Sequence, residues 1–175
     1  MRESIQLEPD LVNSQNVCDN SYLKLLIFFQ VKMQPVVDRT RNLIWCGSYD
    51  HHLYALNYND HCCTYKISCG GSIYGSPAVD MALNIIYVAS TSGLVTAISL
   101  EVPSFRIVWQ YEAGAPIFSS LTIDHQSGNV VCCLVNGLVI ALNSHGTVVW
   151  KVQYLFFLSF FLSFFLSFFL SWTLL

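Results

Sequence analysis

The sequence predicts an all-β fold of about three four-stranded units, followed by a hydrophobic C-terminal segment read as a helix. Three observations carry this. A unit of about forty residues occurs three times, the runs inside it are rich in Val, Ile, Tyr and Thr, and Gly, Asn, Asp, Ser or Pro stands between the runs. Branched and aromatic side chains fit a pleated, packed surface, and turn formers at short intervals leave no room for helical periodicity.

Each unit opens on a short strand: QPVVD (34–38), SPAVD (76–80) and SLTID (120–124). The residue that ends each phrase, Asp38, Asp80 or Asp124, suits an Asx turn; a catalytic carboxylate has no reason to recur once per unit. An apolar second run follows, NLIWCGS, NIIYVAS and NVVCCLV, beginning at Asn42, Asn84 and Asn129. The third run is HLYALN (52–57), GLVTAIS (93–99) and GLVIALN (137–143). Its last copy is apolar at nearly every position, the pattern of a strand covered on both faces. Ser92-Gly93 and Asn136-Gly137 fit two-residue hairpin loops before this run, with glycine taking positive φ without steric cost. His52 stands in that place in the first unit, and His is among the residues enriched in the left-handed region. The fourth run sets an aromatic among strand formers, Tyr65 in CTYKI, Trp109 in IVWQY and Trp150 in VVWKV, where it would pack unit against unit.

The central alanines Ala55, Ala97 and Ala141 are 42 and 44 residues apart. A period near forty with four strands per unit is that of a β-propeller, in which about four to eight blades surround a channel. Three blades cannot close the ring, and an open stack leaves a blade face exposed at each end. The sequence therefore reads as a fragment: a leader at 1–31, a partial propeller at 32–152 with repeats at about 32–68, 73–113 and 117–152, and a low-complexity tail at 153–175.

A chain of 175 residues is long enough to bury a core. The 54% hydrophobic and 11% charged shares are skewed by the tail, which has no Asp, Glu, Lys, Arg or His from Gln153 onward. A formal net charge of -3 supplies no basic face for phosphates, so nucleic acid is not an expected partner. The seven cysteines, Cys18, Cys46, Cys62, Cys63, Cys69, Cys132 and Cys133, are odd in number and lack pairwise zinc spacing. Met1 to Asp10 is polar, unlike a secretory leader. Together these predict reduced thiols and a cytoplasmic location, the alternative being a membrane location through residues 153–175.

The phrase GSYDHHLYALN resembles the pyrroloquinoline-quinone-type propeller repeat at Gly47, Ser48, Asp50, Leu53, Tyr54, Ala55, Leu56 and Asn57, and the third unit matches it at Ala141, Asn143, Gly146 and Trp150. The first unit departs from it in ending on Tyr65, and the second in having no Thr-Gly. Met33 to Gly93 is similar to the C-terminal propeller of the plant acyl-activating enzyme 19 group, kin to the β-alanine-activating, aminoadipate-semialdehyde-dehydrogenase-like family. The resemblance covers residues 32–152. It implies a parent that joins an amino or carboxylic acid to a carrier thiol with ATP, and partners in the missing blades and in adenylation and carrier domains. It also leaves room for a protein partner. No phosphate loop or carrier serine motif is present, so this chain is not expected to be an enzyme and no catalytic residue is assigned. A quinone-dependent dehydrogenase fragment and a membrane-anchored interaction module are the alternatives.

No cofactor or metal site is expected either. DHH (50–52) and HCC (61–63) stand at opposite ends of one short strand, too far apart to converge on one ion. Cys62-Cys63 and Cys132-Cys133 are similar to the vicinal disulfide of quinone-dependent alcohol dehydrogenases, but neighbours on a strand point to opposite faces, so each pair reads as one residue per face. Bound quinone would also need calcium held by converging oxygens, and no carboxylate cluster is present.

The tail repeats Phe-Phe-Leu-Ser four times between Leu155 and Ser171. Its 23 uncharged residues would span a bilayer as a helix. A strict tetrapeptide is not something a membrane helix requires, and apart from Lys151 the flanks lack cationic anchors. Phe, Leu and Ser share pyrimidine-rich codons, so both the tail and the leader are read as translated intron, with a membrane contact only if the tail is genuine.

Overall fold

The computed structural model describes residues 33–101 and 105–153. The leader at 1–31 and the tail beyond Gln153, with its helical reading, lie outside the described residues. The strands are β1 (Val36–Asp38), β2 (Leu43–Gly47), β3 (His52–Asn57), β4 (Cys62–Ser68), β5 (Ala78–Asp80), β6 (Ile85–Ala89), β7 (Leu94–Ser99), β8 (Arg106–Glu112), β9 (Thr122–Ile123), β10 (Val130–Cys133), β11 (Leu138–Leu142) and β12 (Val148–Gln153). They form three separate four-stranded antiparallel sheets, β1–β4, β5–β8 and β9–β12, each ordered as in the chain. These are three blades.

Register shows the blades to be copies. Trp45 pairs with Ala55 and Ala55 with Tyr65; Tyr87 pairs with Ala97 and Ala97 with Trp109; Val131 pairs with Ala141 and Ala141 with Trp150. Immediately after each central alanine the ladder slips by one residue, leaving Thr64, Val108 and Val149 as the extra residue of a β-bulge. A bulge bends its strand and re-aims the next side chain, here the aromatic of the fourth strand.

Two expectations about turns are corrected by this register. The left-handed residue of the first unit is His51 (φ 73), equivalent to Gly93 (φ 84) and Gly137 (φ 80), whereas His52 is the first residue of β3. The carbonyls agree: Cys69 N–H donates to His51 O as Ala113 N–H donates to Gly93 O. The hairpin loops hold three residues, not two. Ser90 N–H donates to Leu94 O and Gly93 N–H to Ser90 O at 3.0 Å each, and Leu134, Gly137 and Leu138 repeat the arrangement. This is a turn closed by a left-handed residue, which matches the strands' twist. In the β9–β10 turn the left-handed residue is Gly128 (φ 69), where the other units use Asn42 (φ 57) and Asn84 (φ 53). Asn129 falls one place later, opposite Asp124, whose N–H donates to Asn129 O.

The recurring aspartates do cap their turns. Asp38 Oδ1 accepts Thr40 N–H at 3.1 Å, Asp80 Oδ1 accepts Ala82 N–H at 2.9 Å, and Asp124 Oδ1 accepts Gln126 N–H at 3.1 Å.

The core lies between blades rather than within one. One buried cluster joins Trp45, Leu53 and Ala55 of the first blade to Ile86, Val88 and Ile98 of the second. The other joins Tyr87, Val95 and Ala97 of the second to Val130, Cys132, Ile140 and Leu142 of the third. Alternation along each strand thus sends one side chain to the blade before and the next to the blade after. The connectors bind neighbouring blades together. Ile73 N–H donates to Ser48 O while Thr91 N–H donates to Ser72 O, and Ile117 N–H donates to Ser90 O while Val135 N–H donates to Pro116 O. At the first-strand side Ser76 Oγ donates to Gln34 O and Ser76 N–H to Ser120 Oγ, each at 2.9 Å, so the three blades converge there.

Candidate interaction surface

Residue equivalence across the blades shows what each blade offers the next. Its fourth-strand aromatic meets the following blade near the turn between that blade's third and fourth strands. Tyr65 packs on Phe105 with ring centroids 4.1 Å apart. Trp109 donates its indole N–H to Ser144 O at 2.8 Å and lies against Gly146, where a Cβ would come within 2.7 Å of Trp109 Cδ2. Gly146 also has φ +77, so this turn needs glycine for both shape and space.

Trp150 is the third copy of that residue, and it departs from the expectation that it packs blade on blade. It is 42% exposed, beside Val149 at 51% and Val152 at 45%. Every residue of β12 after Val148 is exposed. Val131, Cys133, Val139, Ala141, Trp150 and Val152 share one face of the third sheet and belong to neither buried cluster. The expectation that the GLVIALN strand is covered on both faces holds only in part: β11 is covered on the side of the second blade, while on its other face Ala141 is buried, Val139 is half-buried and Trp150 and Val152 of the adjacent β12 are exposed.

A second exposed feature lies at the end where the connectors meet the β2–β3, β6–β7 and β10–β11 turns. Tyr49, Tyr74 and Phe118 form a row of rings packed edge to face, with centroids 4.6 Å and 5.0 Å apart and Tyr74 Oη donating to Tyr49 Oη. Phe118 is 47% and Val135 57% exposed. Nearby, Tyr54 Oη donates to Asp50, whose carboxylate also faces Lys66 Nζ at 3.7 Å and His52 Nδ1 at 3.5 Å. Burial pushes the Asp50 pKa up, but hydrogen bonds from Tyr54 and Ser48 and the charges of His52 and Lys66 outweigh it and hold the carboxyl below the usual range. Tyr54 is shifted up by burial and by its bond to Asp50, so it stays a neutral donor. That arrangement positions a side chain; it activates no nucleophile.

The motifs singled out by composition separate in space. His52 pairs with Ser68 and Cys62 with Asn57, so DHH and HCC lie at opposite ends of β3. Among the described residues no group of three or more His, Cys, Asp or Glu is arranged so that it could hold a metal ion. Cys132 is buried against the second blade and Cys133 is exposed on the opposite face. Sequence reasoning missed Arg41, which links the first two blades: its guanidinium donates to Leu100 O at 3.0 Å, Asn84 Oδ1 at 2.6 Å and Asp38 Oδ2 at 2.9 Å. The equivalent positions, Leu83 and Ser127, lack the charge, so the repeat gave no signal for it. Among the described residues no helix is long and apolar enough to cross a membrane.

Three radial sheets, an interblade core and repeated connectors define a β-propeller fold. No protein-family profile and no curated protein sequence matches the chain. Among solved structures the chain is similar to BamB from Moraxella catarrhalis, with a TM-score of 0.58 at 14% sequence identity, over 70% of this chain and 35% of that one. The likeness is one of fold, of the BamB and quinoprotein-like propeller type, and the chain spans about a third of that protein's length.

Proposed function

We propose that this chain is a binding and scaffolding module without catalytic function of its own: a propeller section of an ATP-dependent ligase that activates an acyl or amino acid on a carrier thiol. The observation that carries the scaffolding part is the outward third-blade face, an apolar sheet surface on whose edge strand β12 Trp150 is 42% exposed. Continuous apolar surface of this kind marks contact with another protein surface. The ligase part rests on the likeness of Met33 to Gly93 to the propeller of the β-alanine-activating family. Its partners would be the adenylation and carrier domains of that parent.

Sequencing the mature transcript of the locus tests this reading. An open reading frame running through an adenylating domain, a carrier domain and these blades is the expected result. A message that encodes these blades without an adenylating domain would overturn the ligase assignment and leave the scaffold. The quinone-dependent alternative predicts that pyrroloquinoline quinone with calcium changes its absorbance on mixing with the chain, and we expect no change.

A further inference from the structure

We propose that Asn136 is a modification site: it loses its side-chain amide to attack by the backbone nitrogen of Gly137, and the turn holds the resulting aspartate as the first blade holds Asp50. The inference is independent of the ligase assignment and of what covers the third blade.

The chemistry needs an asparagine whose side-chain carbonyl carbon can be reached by the backbone nitrogen of the next residue. A following glycine suits that approach best, because no Cβ obstructs it and the backbone turns freely. Asn-Gly occurs once in the chain, at 136–137 in the loop between β10 and β11, and Asn136 is exposed. The nitrogen of Gly137, its proton taken by solvent base, forms a bond to Asn136 Cγ. The Cγ–Nδ2 bond then breaks, and the nitrogen leaves as ammonia with a proton from water. Water next opens the five-membered imide. Hydrolysis of the new Cγ–N bond leaves aspartate, whereas hydrolysis of the original backbone C–N bond leaves isoaspartate, with the chain running through the side chain.

The closed turn opposes the first step. Gly137 N–H donates to Leu134 O at 3.0 Å, and Asn136 Oδ1 accepts Leu138 N–H at 3.1 Å. Attack therefore waits for the turn to open. The turn belongs to the blade whose outermost strand is exposed from Val149 to Gln153, and such elements open at a small fraction of the cost of global unfolding.

The repeat shows what the turn does with the product. Counting from Ala55 and Ala141, Asn136 stands at the place of Asp50. Asp50 Oδ1 accepts His52 N–H at 3.2 Å, as Asn136 Oδ1 accepts that of Leu138. Lys66, whose ammonium lies 3.7 Å from Asp50, pairs with Tyr54 across the ladder, and Lys151 pairs with Ile140 at the same register position. A carboxylate at position 136 thus enters a turn of the kind that already carries one, with a lysine in the equivalent place. Isoaspartate lengthens the backbone and cannot keep both turn hydrogen bonds. Either product puts a negative charge next to Val135, which is 57% exposed and whose N–H donates to Pro116 O near the half-exposed Phe118. Modification therefore changes the charge at the aromatic end of the molecule.

The test incubates the full chain at neutral pH and physiological temperature, digests samples at intervals, and follows loss of ammonia and gain of isoaspartate at each asparagine by mass spectrometry. A synthetic peptide of residues 130–142 gives the rate without the fold. Among the described residues Asn136 should convert first, roughly tenfold or more slowly than in the peptide, because the turn must open. Trp109→Ala, which loosens the second interface, should bring the rate closer to that of the peptide, and Asn136→Gln should abolish conversion. Asn136→Asp should melt no lower than Asn136→Ser, the residue the second blade has at Ser92. An Asn136 still intact in the folded chain after about a hundred peptide half-times, or earlier conversion at Asn143, would overturn the site. A melting temperature lower for Asn136→Asp than for Asn136→Ser would overturn the fit of the product to the turn.

Discussion

Arg41 joins two blades through three acceptors at once, and its partner Asp38 has a fully buried side chain while Arg41 itself is 16% exposed. Burial alone would raise the Asp38 pKa, but hydrogen bonds from Thr40 and Arg41 and the charge of Arg41 reverse it, so the net shift is downward. Removing the cation leaves a buried carboxylate with fewer donors, so Arg41→Ala should destabilise by about 1–3 kcal/mol in chemical denaturation. Arg41→Lys should recover little of that, because one ammonium cannot reach Asp38, Asn84 and Leu100 in the fork geometry. Full recovery by Lys would show that only the charge matters. A second residue-level expectation concerns alkaline pH. Burial pushes the thiols of Cys46 and Cys132 up to about 11 and that of Cys69 to about 12, from an ordinary 9.0, with the Cys133 charge adding to the shift at Cys132. Burial and then Asp80 push Tyr87 up from 10.0 to about 12. The folded state thus holds these protons more tightly than the unfolded state. Their stabilisation is complete below pH 9 and declines as pH rises toward 11–12. Thermal melts should fall steeply across that window. A flat profile would mean that these groups are solvated.

At the level of strands and turns, the contact between Trp109 and Gly146 is the tightest test of how blades meet. Gly146→Ala puts a Cβ within 2.7 Å of the ring at a backbone φ of +77, so it should cost about 1–3 kcal/mol. In a Trp109→Ala background the same change should cost less, since the steric part disappears and only the left-handed strain remains. Equal costs in the two backgrounds would show that the ring does not press on this turn. This scale also shows what the sequence could reveal. Strand number, strand order and one sheet per unit were legible, because runs of β-formers between turn residues dictate local antiparallel hairpins. The left-handed position was read one place off in the first unit. Matching Gly to His by letter sets His52 against Gly93, whereas the alanine register sets His51 there. Bulges at Thr64, Val108 and Val149 were not legible, because a bulge is a property of two strands' pairing and no residue type demands it. The exposed blade face was legible in outline from an open stack of three, but the exposure of Trp150 on its edge strand was not, since the same aromatic is packed between blades at Trp109.

At the scale of the whole molecule, two of the three blades are joined across each interblade core, and among the described residues only the second blade has an occupied face on both sides. In an array whose units touch only their neighbours, stability is close to a sum of unit and interface contributions, so a unit with two occupied faces opens last. The second blade supplies Ile86, Val88 and Ile98 to one core and Tyr87, Val95 and Ala97 to the other, each at 0% exposure. The third blade is covered on one side, and its outermost strand β12 is exposed from Val149 to Gln153. Native-state hydrogen exchange should therefore rank the amides, with β6 and β7 slowest, β10 and β11 intermediate and β12 fastest. Trp150→Ala should leave that order unchanged, because its ring lies outside both cores. Trp109→Ala should speed exchange in β10 and β11 by loosening the second interface, while leaving β2 and β3 close to their original rates. If all three blades exchange at a single common rate, the chain opens as one cooperative unit and the interfaces are not the independent contributions described above.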